Sequence, residues 1–279
     1  MTFPAHHQEE NVMKNTIKLV TTLLLGSILV TANAASLSDR AKEKRWAEQI
    51  IPSLLVGEDV QLKSNGVDFL GLYAEPDNTK PKGAVILLHG IGVHPAWPEV
   101  IQPLRTRLVD KGWATLSLQM PVLANGAKDT EYAPLYAEVP YRIQAGVDFL
   151  KAKGIHNIVL AGHSMGTVMA SRYLCLSTRK DPDVKGFVIV SGGYGIPYDT
   201  RADSLANFKA IRDVNILDVS GSEDTDEIKE IVKIRQRMGK RIHGDDYQYL
   251  QIQNANHFYV NKEDELVNRL ATWMEANIK

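Results

Sequence analysis

A single cysteine in 279 residues, Cys175, leaves no partner for an intramolecular disulfide and no basis for a cysteine-rich zinc site. It lies in the apolar run VMASRYLCL, where a buried core thiol is expected. Charge of one sign is equally scarce. With 32 Lys and Arg against 33 Asp and Glu, the formal net charge is −1, which removes any electrostatic reason to expect nucleic acid or an anionic membrane as partner. There is no internal repeat and no low-complexity tract. The N-terminal apolar run LVTTLLLGSILV has about 12 residues, too short for a helix to cross roughly 30 Å of hydrocarbon.

That run has a different reading. Lys14 and Lys18 precede it and TANAAS follows it, with Ala32 and Ala34 as the small pair of an A-x-A cleavage site. The expectation is a cleaved signal peptide over residues 1–34, a retained membrane anchor being the competing reading. No cysteine follows the site, which argues against a lipoprotein, and Met13 is an alternative start that would make the first 12 residues an upstream extension. The mature chain is expected to work outside the cytoplasm, in the periplasm or secreted, without a stable membrane anchor. Residues 35–279 then form one α/β domain.

Within that domain the stretch SDRAKEKRWAEQI predicts a charged surface helix stopped by Pro52. EDVQLK and VDFLGLYAE, joined through Asn65-Gly66, predict a β-hairpin. After the polar loop EPDNTKPKG the pattern changes to continuous apolar runs that alternate with helical stretches. GAVILLHG, WATLSLQM, NIVLAGHS, GFVIVSGG, NILDVSGS and YQYLQIQ read as buried strands of a parallel sheet. Helices are expected over Pro98 to Lys111, Val139 to Lys153, MGTVMASRYLCL, DEIKEIVKIRQRM and KEDELVNRLATWMEANI, covering both faces. Irregular insertions fall at residues 120–138 and 193–213.

Ser164 sits in GHSMG, where the strand NIVLAG passes into a helix. The letters Gly-x-Ser-x-Gly alone are weak, since they arise by chance in roughly one chain of this length in ten. The context is stronger. A sharp strand–helix turn would put Ser164 in a strained backbone conformation at the sheet edge, with Gly162 and Gly166 leaving room for the neighbouring backbone. The helix N-terminus behind it aims amide donors at a developing oxyanion.

A serine needs a base, and only His243 and His257 lie downstream. His257, in NANHFYV between the last strand and the final helix, falls at the same edge as Ser164, whereas His243 precedes that strand. Asp224 lies just past the end of NILDVSGS and can accept the His257 Nδ1 proton, with Glu223 and Asp226 as competitors. Asp226 or Thr225 can instead cap the next helix. The loop LLHGIGVHPAWP would supply the other half of an oxyanion hole, its donors being the amides of Met165 and of Ile91, or Gly92 in place of Ile91. His89 and His94 lack a carboxylate or third histidine at ligand spacing, so no metal and no cofactor is expected. His163 reads as a packing or hydrogen-bonding neighbour.

Four motifs in register, HGIG, GHSMG, GSED and the NH before the last helix, resemble the α/β-hydrolase superfamily of serine-esterase type over roughly Asp59 to Lys279. The stretch HPAWPEVIQPLRTRLVDKGWATLSLQMP also resembles an exported bacterial subgroup of hydrolase-like proteins. The resemblance implies an α/β-hydrolase fold, a mostly parallel central sheet with helices on both faces and an N-terminal hairpin, and it implies the triad Ser164, Asp224 and His257. It also implies acyl hydrolysis through an acyl-enzyme. One departure is that GYGIPYDTRADSLANFKAIRDV is too short for more than a small lid. The activity expected is that of a carboxylesterase on a small-molecule ester of short-to-medium acyl chain. A non-catalytic binding module of the same fold, or a thioesterase or peptidase using the same triad, stands as the alternative. Trp97, Met120, Tyr132, Tyr136, Tyr194 and Phe258 are the candidates for the substrate wall, each with ordinary lid packing as its other explanation.

Overall fold

Apart from Met1, the computed structural model describes residues 36–176 and 181–279, so the expected signal peptide lies outside the described residues. Among the described residues no helix is long and apolar enough to cross a membrane.

The hairpin forms as the Asn65-Gly66 signal predicts. Strands β1 (Glu58–Ser64) and β2 (Val67–Ala74) pair antiparallel, and Asn65 and Gly66 have φ of 48° and 80°. Positive φ at both central residues is the type I′ geometry whose twist matches that of the strands. Six further strands follow: β3 (Ala84–Leu88), β4 (Ala114–Leu118), β5 (Ile158–His163), β6 (Val184–Val190), β7 (Asn215–Gly221) and β8 (Tyr247–Ile252). The sheet order is β1-β2-β4-β3-β5-β6-β7-β8, parallel from β4 through to β8.

Alternation along β3 sorts the core into two layers. Ala84, Ile86 and Leu88 face one apolar cluster, Val85 and Leu87 the other, and all five are without accessible surface. The first cluster is completed by helices α3 (Val139–Ala152) and α4 (Met165–Leu174), the second by α2 (Ile101–Arg107) and α7 (Glu263–Asn277). A strand buried on both faces has no polar side to show, which is why its sequence reads as an unbroken apolar run. Helix α6 (Asp226–Ile242) lies against β7 and β8, and Thr225 caps it by accepting the Ile228 amide at 3.3 Å.

The N-terminal helix α1 (Arg40–Ile50) departs from expectation. It is not simply a charged surface helix, because Lys42 and Glu43 are buried. Arg142, fully buried at the start of α3, donates to Glu43 at 2.9 Å, to Glu138 at 2.7 Å and to the Gln119 carbonyl at 2.7 Å. Lys42 donates to the Leu123 carbonyl at 2.9 Å, and the Asp39 amide to that of Val122 at 2.7 Å. Charge pairing, invisible to a hydropathy reading, holds α1 on the segment after β4. The expected helix over Pro98 to Lys111 is shorter, α2 giving way to a 3₁₀ turn at Val109–Lys111. Cys175 is half-buried at the end of α4, its thiol donating to Asn207 Oδ1 at 3.2 Å, and so is not the deep core thiol its apolar context suggests.

The two insertions are small. Residues Asp129–Ala137 form a 3₁₀ segment, and the insertion after β6 carries only α5 (Ser204–Ala210), with a single bridge between Gly195 and Asp203. Among the described residues no large cap domain stands over the C-terminal ends of the strands.

Candidate active site

Ser164 occupies the one residue between β5 and α4, with φ 52° and ψ −120°. That region of backbone space costs a non-glycine residue about 1–3 kcal/mol and persists only where the surroundings over-determine it. Here they do. The Ser164 amide donates to the Val190 carbonyl at 3.0 Å, and the Ser164 carbonyl accepts from the Thr167 amide at 3.1 Å and hydroxyl at 2.7 Å. A Cβ on Gly162 would lie 2.4 Å from the Gly166 carbonyl carbon, and one on Gly166 would lie 2.1 Å from the Leu88 carbonyl oxygen. Only glycine lets strand and helix approach this closely. The Ser164 side chain is partly exposed, and its hydroxyl enters no hydrogen bond among the described residues.

Two loops converge on the same rim. His257, in the turn after β8, has Nδ1 2.8 Å from Asp224 Oδ1, and Asp224 lies in the turn after β7. Asp224 is buried, whereas Glu223 and Asp226 point outward, so the geometry selects Asp224 from the three carboxylates. Burial by itself would raise the Asp224 carboxyl. The donors from His257 and Ser191, with the Thr225 amide at 2.9 Å on Oδ1, more than offset this and hold it below the usual carboxylate value. The carboxylate therefore stays ionised and accepts the Nδ1–H of His257, which leaves the Nε2 side of the ring free of this bond. Among the described residues no hydrogen bond joins Ser164 Oγ to His257. His243 lies at the far end of α6, with Nε2 3.3 Å from the Phe208 carbonyl, and takes no part.

His163 packs its ring against His257, with centroids 5.0 Å apart, and its Nε2–H donates to the His257 carbonyl at 2.9 Å. Burial first, then the neighbouring imidazole, lowers its pKa to about 4, so it is neutral at physiological pH. It ties down the loop that carries His257, as a hydrogen-bonding neighbour would.

The loop after β3 runs directly beside the serine. A Cβ on Gly90 would lie 3.6 Å from Ser164 Cβ. His89 sets the course of this loop. Its Nε2 accepts from the Met120 amide at 3.0 Å, which fixes the proton on Nδ1, and Nδ1–H donates to the Gly90 carbonyl at 2.8 Å. Burial lowers the His89 pKa to about 3, consistent with a neutral ring. With both nitrogens engaged, His89 has none left for a metal. His94 sits edge-on between Trp46 and Trp97, 5.3 Å from each, and accepts from the Ala96 amide. The amides of Met165, first residue of α4, and of Ile91 donate to no acceptor among the described residues. Met165 directly follows the serine, and Ile91 directly follows Gly90, the loop residue that runs beside it.

The proposed substrate wall fares unevenly. Phe258 is exposed and stands edge-on to His257 with centroids 5.1 Å apart, at the site's rim. Met120 does not line the site, because its side chain has no accessible surface and belongs to the core under α3. Tyr132 and Tyr136 are buried as well; the Tyr132 hydroxyl accepts from the Leu123 amide at 3.2 Å and lies 3.7 Å from where Gly92 would carry a Cβ. Trp97 is taken up by His94 on the side of α1, and Tyr194 is half-buried beside the acidic start of α6, where burial and then Glu230 and Glu227 raise its phenol pKa.

Two residues absent from the sequence reading complete the acid's surroundings. Ser191, just after β6, donates to Asp224 Oδ2, and its oxygen lies 3.0 Å from the Tyr259 hydroxyl. Both are buried and both have positive φ, 48° and 54°.

Solved structures share the architecture. A serine hydrolase homologue from Coxiella burnetii superposes with a TM-score of 0.60 at 17% identity, covering 78% of this chain and 98% of its own. An esterase of Pyrococcus furiosus gives a TM-score of 0.62 at 16% identity, covering 79% and 92%. A protein of Xanthomonas campestris, described as an α/β serine hydrolase without lid, gives 0.60 at 12% identity, covering 80% and 95%. At such identities the likeness establishes the fold, which is that of the α/β hydrolases. No curated protein matches the sequence. Residues 5–140 and 127–276 match the family described as "Protein of unknown function (DUF3530)", and to that family this α/β-hydrolase-fold chain belongs.

Proposed function

We propose that this protein is a serine hydrolase, a carboxylesterase acting on short-to-medium acyl esters, with Ser164 as nucleophile, His257 as base and Asp224 as the carboxylate that orients it. The observation that carries the reading is the 2.8 Å bond between His257 and the buried, ionised Asp224 at the rim where Ser164 is held in strained backbone geometry. As Ser164 Oγ attacks the ester carbonyl, its proton passes to His257 Nε2, and the resulting imidazolium is stabilised by Asp224. The amides of Met165 and Ile91 receive the oxyanion. Collapse of the tetrahedral intermediate expels the alcohol, which takes the proton from His257, and water deprotonated by the same nitrogen then releases the acid. Hydroxyl–imidazole bonds are often long in free enzymes and tighten when substrate binds.

The small insertions leave the site open, which suits a substrate of modest size with Phe258 against its apolar part. The esterase described for Pyrococcus furiosus has the same fold, which favours ester chemistry here. Export through the N-terminal signal is part of the proposal, and N-terminal sequencing of protein from the cell envelope or medium would find the mature chain beginning near Ala35.

A fluorophosphonate probe should label the protein at Ser164, and p-nitrophenyl esters from acetyl to octanoyl should be turned over. In Ser164→Ala labelling should vanish and kcat should fall by about 10⁴-fold or more, with the unfolding midpoint little changed. A wild-type chain that is neither labelled nor active on esters, thioesters or peptides would make it a binding module instead.

A further inference from the structure

The acid of the site is held from behind by a chain of side chains that the three-residue reading does not use. Ser191 Oγ has one proton, and an ionised carboxylate can only accept, so that proton goes to Asp224 Oδ2. The Tyr259 hydroxyl, 3.0 Å away, must then donate to the Ser191 oxygen; its other acceptor, the Val219 carbonyl, is more distant at 3.4 Å. The direction of every bond is thus determined: Tyr259 to Ser191, Ser191 to Asp224, and His257 and the Thr225 amide to the opposite oxygen, Oδ1.

The chain is built at a cost. Ser191 and Tyr259 are non-glycine residues at positive φ, each carrying strain of about 1–3 kcal/mol. The backbone around Ser191 is fastened on three sides. Its amide donates to the Val219 carbonyl at 2.9 Å, Arg235 donates to the Gly192 carbonyl at 2.6 Å, and a Cβ on Gly192 would lie 2.6 Å from Thr167 Oγ1 in the helix behind Ser164. Tyr259 is two residues from His257, so its buried hydroxyl ties the loop of the base to the ends of β6 and β7 just as His163 ties it to β5. Strain retained at two positions whose side chains meet behind one carboxylate marks a purpose other than packing.

We propose that Ser191 and Tyr259 are positioning residues that fix the rotation of the Asp224 carboxylate, so that Oδ1 meets His257 Nδ1 in line. This rests on the hydrolase reading for its effect on turnover, though not for its effect on the Asp224–His257 bond. Among the described residues the ionisable groups facing the carboxylate are His257 and, through Ser191, the Tyr259 phenol, with the Tyr249 phenol within electrostatic reach and the neutral His163 beyond His257. Without the Ser191 hydroxyl, Oδ2 keeps no donor among the described residues, and the carboxylate is held through Oδ1 alone.

The experiment uses the full mature chain with Ser191→Ala, Ser191→Gly and Tyr259→Phe. The glycine variant removes the hydroxyl while relieving the positive φ, so it folds at least as readily as the alanine variant. In wild type the His257 Nδ1 proton should give a downfield, slowly exchanging NMR signal, assigned by its loss in His257→Gln. In both Ser191 variants that signal should broaden or disappear, and in Tyr259→Phe it should weaken. With a p-nitrophenyl ester, kcat should fall about 10- to 100-fold in the Ser191 variants while KM stays within about twofold. A Ser191→Gly protein that keeps both the signal and wild-type kcat overturns the proposal. A purely structural role would lower the unfolding midpoint and leave the signal intact, which also overturns it. Loss of the signal in Ser191→Gly, with no ester turnover even in wild type, upholds the positioning role and sinks the hydrolase reading instead.

Discussion

Two carboxylates six positions apart, Asp218 and Asp224, are both buried and meet opposite fates. Asp218, in the middle of β7, takes the guanidinium of Arg235 on both oxygens, at 2.8 and 3.0 Å, and the Tyr247 hydroxyl at 2.9 Å. Burial works against the charge on Arg235, but Asp218 outweighs it and the guanidinium pKa is raised. That pair is closed: charge is cancelled in place and nothing faces solvent. Asp224, in the turn beyond the strand, meets no Lys or Arg among the described residues. Its donors are a hydroxyl, an amide and an imidazole. Hydrogen bonds, with the electrostatic pull of His257, outweigh burial and keep it ionised, and in the proposed mechanism that charge stabilises a positive charge arising on His257. A buried acid matched by arginine fastens α6 to the sheet, whereas one matched by neutral donors can do chemistry.

The contrast predicts opposite profiles for the two sites. Asp224→Asn should lower kcat on an ester by about 10³- to 10⁴-fold, because the amide cannot hold the imidazole in the required tautomer, while the unfolding midpoint moves little. Glu223→Gln, at an exposed neighbour, should leave kcat unchanged; a large loss there with Asp224→Asn near wild type would reverse the assignment. Arg235→Met should do the converse, costing about 3–5 kcal/mol of stability by stranding a buried carboxylate, with kcat per folded molecule changed only a few-fold. Chemical denaturation and turnover measured on the same samples separate the two outcomes.

A smaller effect belongs to the histidines. His89 and His163 are held neutral by burial, their pKa lowered from 6.5 to about 3 and about 4. The unfolded chain binds protons at both before the folded chain does, so stability is full above about pH 6.5 and falls as pH drops toward 4. Each contributes a slope approaching about 1.4 kcal/mol per pH unit. Replacing His163 with Gln, which retains a donor for the His257 carbonyl, should reduce that slope by up to half. An unfolding midpoint equally steep with pH in that variant would show that other groups titrate in this window.

The strands and the elbow were legible in the sequence because their signals are local. A doubly buried strand such as Ala84–Leu88 must be apolar throughout, and Asn65-Gly66 can do little but turn. His257 lies beside Asp224, where chain order and position relative to the sheet edge predict it. What escaped depended on convergence. Nothing in VSGG announces that Ser191 turns its hydroxyl to a carboxylate 33 residues away, since positive φ on a serine leaves no compositional trace. Met120 departs from expectation for a related reason. It follows a strand end, where exposure is common, but its amide is drawn in by His89 and its side chain follows into the core. The charged residues of α1 were read as solvated because the buried arginine that claims them lies about 100 residues further on.

Gly162 and Gly166 carry a consequence for how this scaffold tolerates change. The helix behind Ser164 rests on the Leu88 carbonyl of β3 with main chain against main chain, so the height of the serine above the sheet is set first by backbone contact. Aliphatic residues elsewhere in the interior can be exchanged for one another at modest cost where volume is conserved. The two glycines admit no such exchange, and a library randomised at either would return glycine alone among its active members.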